Sequence, residues 1–97
     1  MIRKTLLKGG RASRVTFTLD ANGFDRAHLV GEFNDWNLKS LPFLRRKDGR
    51  YSVSLVLKTG REYRYRYLLS GKNWTNDEAP DALVPNPFGS EDCVLRL

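Results

Sequence analysis

From Arg61 to Ser70, Tyr63, Tyr65, Tyr67 and Leu69 occupy every second position, with Arg64, Arg66 and Leu68 between them. Side chains alternate across a strand, so this spacing sorts an aromatic face from a largely cationic one. The same period of two recurs elsewhere. Val15, Phe17 and Leu19 share a face over Arg14 to Asp20, and Tyr51, Val53, Leu55 and Leu57 share one over 51–57. Ala27 to Phe33 repeats it less cleanly, and Asn34-Asp35 then signals a turn. Pro42 to Lys47 reads as a short edge strand, because Pro42 cannot donate to a ladder. Lys47-Asp48-Gly49, Lys58-Thr59-Gly60 and Gly71-Lys72 supply turns, the last leading into Asn73-Trp74-Thr75. Asn76 to Ser90 holds Pro80, Pro85, Pro87 and Gly89 and is expected to be a long irregular connection before a last strand, Asp92 to Leu97. No convincing amphipathic helix occurs. Seven or eight short strands punctuated this regularly predict an all-β, antiparallel sandwich. Residues 1–12 are expected to form an N-terminal arm or an edge strand, and 13–97 the sandwich itself.

The residue inventory narrows the chemistry. At 97 residues the chain has room for one domain. Cys93 is the single cysteine and His28 the single histidine, which rules out an internal disulfide and any two-His or multi-Cys metal site, so no metal or cofactor is expected. Cys93 reads as a small buried strand residue, and His28 as a strand residue with a local hydrogen-bond partner. Gly9-Gly10, Gly49, Gly60, Gly71 and Gly89 each stand where a turn is needed, and they form no phosphate-cradling loop. Asp77 and Glu78 are adjacent and would point apart in an extended loop, so they make no facing acid pair. These features favour a binding module over an enzyme. The absence of a long apolar run and of a secretion signal, together with one unpaired cysteine, predicts a reduced, cytoplasmic setting with no membrane span.

Charge is uneven: residues 1–72 hold sixteen Lys/Arg and six Asp/Glu, whereas 73–97 hold one Arg and five acids, within a net charge of +6. Such polarity usually serves solubility, though it also orients partners. Arg45-Arg46-Lys47 with Arg50 reads as a charged edge that blocks aggregation. The aromatics do not form the exposed strand pairs on which bases stack, which disfavours nucleic acid. Trp36 and Trp74 are different. Each follows a turn and has polar neighbours, a setting in which a flat ring can stack on the C–H face of a sugar while nearby groups bond its hydroxyls.

Leu29-Val30-Gly31-Glu32-Phe33-Asn34-Asp35-Trp36-Asn37, then Asp48-Gly49, Tyr63 to Tyr67, Gly71, Trp74-Thr75-Asn76-Asp77 and Asn86-Pro87-Phe88-Gly89 occur in the order of a known family. Over roughly residues 13–97 the chain resembles carbohydrate-binding module family 48, the early-set, immunoglobulin-like domain at the N-terminus of isoamylases and glycogen branching enzymes. It is also similar to the glycogen-binding domain of the AMP-activated protein kinase β subunit. The resemblance implies a module for α-1,4-glucans such as glycogen, starch or maltooligosaccharides. It implies stacking on Trp36 and Trp74, a donated bond from Arg66, and a bulky prop for the glucan turn at Phe88. Lys72 is expected to add a hydrogen bond. Asp92 stands where the family usually has Asn; an ionised carboxylate only accepts, so one donated bond would be lost. That departure leaves open an alternative: a protein–protein interaction or regulatory module of a glucan-metabolising enzyme that has lost the sugar site. In its relatives the domain often precedes a catalytic barrel, which this chain does not contain.

Overall fold

The computed structural model describes residues 1–20 and 23–97. Two antiparallel sheets face each other across a core of aromatic and aliphatic side chains. The strands are β1 (Ile2–Leu6), β2 (Ala12–Leu19), β3 (Ala27–Gly31), β4 (Leu44–Arg45), β5 (Tyr51–Lys58), β6 (Glu62–Leu69), β7 (Asn73–Thr75), β8 (Ala82–Pro85) and β9 (Glu91–Arg96). One sheet runs β1-β2-β5-β4; the other runs β3-β6-β9-β8, with β7 also paired to β6. The period-two pattern places the faces as expected. Val15, Phe17, Tyr65, Tyr67, Leu29, Cys93 and Leu95 are fully buried between the sheets. Phe17 meets Tyr65 edge-on at 5.2 Å, and Phe43 meets Tyr67 in the same way at 5.4 Å. Such pairs add about 1 kcal/mol each beyond area burial.

Three local expectations need correction. Ala82–Pro85, inside the stretch read as irregular, is an edge strand on β9. Asn86 donates its N–H to the Ser90 carbonyl at 2.9 Å, and the preceding Pro85 therefore directs its donor-less nitrogen away from β9. A proline is tolerated at such an outward-facing position of an edge strand. The expected strand Pro42 to Lys47 shrinks to Leu44–Arg45, because residues just before it bond to the other sheet: Leu29 N–H reaches the Leu41 carbonyl and Phe43 N–H the Ala27 carbonyl, each at 2.9 Å. The strand expected to reach Phe33 stops at Gly31, where a turn of 3₁₀ helix, Glu32–Asn34, begins.

His28 also departs from expectation. Its Nδ1 is buried and has no hydrogen-bond partner among the described residues. Burial, and secondarily the charge of Arg26, hold its pKa below the ordinary 6.5. The unfolded chain therefore takes up a proton as pH falls through that value while the folded chain resists it, so stability present above the unfolded pKa is lost below it. The melting temperature is expected to fall between about pH 7 and about pH 5.5, and to fall less in His28→Leu. Equal slopes in the two proteins would remove His28 as the cause.

Candidate functional site

The alternation that buries Tyr63, Tyr65 and Tyr67 turns Arg64 and Arg66 to the outer face of the second sheet. Register extends that face sideways. Arg66 lies opposite Val30 of β3, Leu68 lies opposite Trp74 of β7, and Arg64 lies opposite Val94 of β9, two residues beyond Asp92. Val30 and Leu68 are buried, giving this face an apolar floor.

Two loops wall the floor in. The first is the turn after β3. Asn34 organises it by accepting the Gly31 N–H on Oδ1 at 3.0 Å and donating from Nδ2 to the Leu29 and Asn37 carbonyls and to Ser40 Oγ. Trp36 N–H closes back on the Gly31 carbonyl at 2.8 Å. These bonds hold Asp35 and Trp36 in the left-handed region, at φ 54° and 57°. That conformation costs a non-glycine residue about 1–2 kcal/mol. It turns the chain so that the Trp36 ring remains exposed.

The second wall is the loop between β8 and β9. Asn86 Oδ1 accepts the N–H groups of Phe88 and Ser90 at 3.0 and 3.2 Å, making a compact turn with Phe88 at its tip. Phe88 is 90% exposed, more than any other large apolar side chain described. Between the walls lies a groove of about 950 Å³, lined by Trp36, Leu38, Arg64, Arg66, Trp74, the Asn86–Ser90 loop, Glu32 and Asp92.

Arg66 is held from three sides. Its Nε donates to Asn76 Oδ1 at 2.8 Å, an Nη donates to Ser90 Oγ at 3.2 Å, and its guanidinium lies 5.7 Å from the centre of the Trp74 ring. Asn76 is itself anchored, donating to the Glu91 carbonyl at 3.0 Å. A fixed cation beside an exposed indole is a preorganised polar rim for a ligand that stacks.

The chain matches carbohydrate-binding module 48 (isoamylase N-terminal domain) over residues 6–89. It belongs to that family. The module is also similar to a 1,4-alpha-glucan branching enzyme of Aquifex aeolicus (strain VF5), at 29% identity over 85 residues. That match covers 84% of this chain but only 13% of the length of the curated relative.

Of the residues singled out from sequence in this family-48 module, Trp36, Arg66, Trp74, Phe88 and Asp92 line one groove. Lys72 is not among its lining residues; it lies exposed in the turn before β7. Asp92 is in the groove but is only 7% exposed, and its carboxylate is already engaged. Oδ1 accepts from Asn86 Nδ2 at 3.0 Å, while Oδ2 sits 4.0 Å from the Arg64 guanidinium. The expected free acceptor is therefore mostly spent within the protein. Asn86, Ser90, Glu32 and Arg64 were not singled out as ligands, since an isolated serine, asparagine or surface charge in a loop carries no distinguishing pattern. The Asn86-Pro87-Phe88-Gly89 run was visible, but only the structure shows the Asn86 amide bridging Ser90 and Asp92.

Proposed function

We propose that this module binds α-1,4-linked glucans without turning them over. The observation that carries the reading is the gathering of Trp36, Trp74, Arg66 and Phe88 around one groove, with the guanidinium fixed in place. The indoles stack on the apolar faces of glucose units. Arg66 and the Asn86–Ser90 loop bond hydroxyls at the rim, and Phe88 fills the concave side of a helical glucan turn. Glu32 and Asp92 do not serve as a general acid and base in this reading. Glu32 Oε1 accepts the Arg64 backbone N–H at 2.6 Å, and Asp92 is paired as described. Similarity to a branching enzyme supports a glucan ligand, and supports a glucan-metabolising enzyme as the activity that the module accompanies.

An open site that must replace sugar hydration binds weakly, on the order of micromolar to millimolar. Titration with maltoheptaose or β-cyclodextrin is expected to change tryptophan fluorescence in that range. Trp36→Ala and Trp74→Ala should each weaken binding about tenfold, a loss of about 1.4 kcal/mol. The reading fails if no signal develops at millimolar sugar, or if both variants bind as the parent does.

A further inference from the structure

The first sheet ends in an unfinished edge. Of the eight residues in β5, β4 pairs only with Tyr51 and Ser52. Arg46 donates its N–H to the Arg50 carbonyl at 2.6 Å, which sets the alternation: even-numbered residues of β5 direct their backbone groups toward the β4 side. Thr59 N–H, bonded to the Arg11 carbonyl on the β2 side at 3.1 Å, fits the odd set. Beyond β4, Ser54 and Val56 therefore present both N–H and C=O outward, with no backbone partner among the described residues. Lys58 presents its N–H there, while its carbonyl accepts the Tyr63 hydroxyl at 2.9 Å.

The side chains tell the same story. Val53 and Leu55 point inward beside Phe17 and Val15, which are fully buried, yet Val53, Leu55 and Leu57 are only half-buried. What is missing is apolar cover on the side away from β2. Such an edge is a template for an added strand.

Charge selects the occupant. The four strands of this sheet contain Arg3, Lys4, Arg14, Arg45 and Lys58 and neither Asp nor Glu. Of these cations, only Lys4 has an ion-pair partner among the described residues, Asp81 at 2.6 Å. A second copy of the chain would bring an equally cationic sheet alongside, and the summed like charge opposes their approach. We propose that the free edge of β5, Ser54 to Lys58, docks an extended acidic segment of a partner polypeptide. Its backbone pairs with Ser54, Val56 and Lys58, its inward side chains are apolar and cover Leu55 and Leu57, and its outward side chains are acidic. The sugar groove lies on the outer face of the other sheet, so both sites can be filled together.

The test uses the isotopically labelled chain with a heptapeptide alternating glutamate and valine, and a lysine–valine counterpart. The acidic peptide is expected to shift the Ser54, Val56 and Lys58 amides and slow their hydrogen exchange. It should bind about tenfold tighter than the basic one and weaken as salt is raised. Val56→Pro removes an outward N–H while leaving the β2 ladder intact, and should abolish the effect. If that variant does not fold, exchange protection in the parent chain decides. Unmoved amides overturn the proposal, as does equal binding of the two peptides. Self-association through the same amides also overturns it, by making a second copy the occupant.

Discussion

Gly31→Ala is expected to cost the fold about 3 kcal/mol and to lower the melting temperature by about 15 °C. Gly31 is buried at the end of β3 in ordinary extended backbone, so the requirement is for space. A Cβ there would lie 2.5 Å from the Arg64 carbonyl oxygen, 2.8 Å from Tyr65 Cβ and 2.9 Å from Phe33 Cζ. The first two belong to β6 backbone or sit directly on it, and cannot swing aside as the end of a long side chain would. Relief must come from moving β3 away from β6. That movement carries Gly31's carbonyl, the acceptor for Trp36 N–H, away from the turn it closes. Thermal unfolding by circular dichroism checks the stability. Glucan titration well below the transition checks whether the Trp36 wall has shifted, with weaker binding expected in the molecules that remain folded. A melting temperature within about 3 °C of the parent would show that the sheet yields easily at this point.

Asp77→Ala is expected to cost about 2–3 kcal/mol, because it leaves the buried Tyr65 hydroxyl without its acceptor. The Asp77 side chain is fully buried, and its residue lies just past β7. Oδ1 accepts the Met1 amino group at 2.8 Å and the Ala79 N–H at 3.3 Å, while Oδ2 accepts the Tyr65 hydroxyl at 3.1 Å. Burial raises the Tyr65 phenol far above its ordinary range, so it remains a donor and would be orphaned in the core. Glu78→Ala is the matched control. Glu78 is exposed, and its loss should change stability by less than about 0.5 kcal/mol. Chemical denaturation of the three proteins separates the cases. Near-equal midpoints would mean that the Asp77 carboxylate does not hold β7 and the amino-terminal segment to the core. The two acids are adjacent yet oppositely placed, one buried and one exposed, a difference that the residues alone do not express.

Side-chain alternation is a local property of the chain, and it determined most of the architecture. Tyr63, Tyr65 and Tyr67 had to face one way and Arg64 and Arg66 the other, whatever the sheet around them, because strand geometry allows no alternative. The turn residues and the Gly-Glu-Phe-Asn-Asp-Trp run likewise placed Trp36 and Trp74 outside the core. What adjacency in sequence cannot express is which polar groups satisfy one another across the fold. Asp92 looked like an acceptor waiting for a sugar until Asn86 and Arg64 were brought beside it. Lys72, expected to bond a sugar, lies in the turn before β7 and outside the groove's lining. The free edge of β5 became visible only when β4 proved to end after two residues. Hydrogen-bond satisfaction and edge coverage are settled between segments distant in the chain, so they emerge only when the two sheets close over their common core.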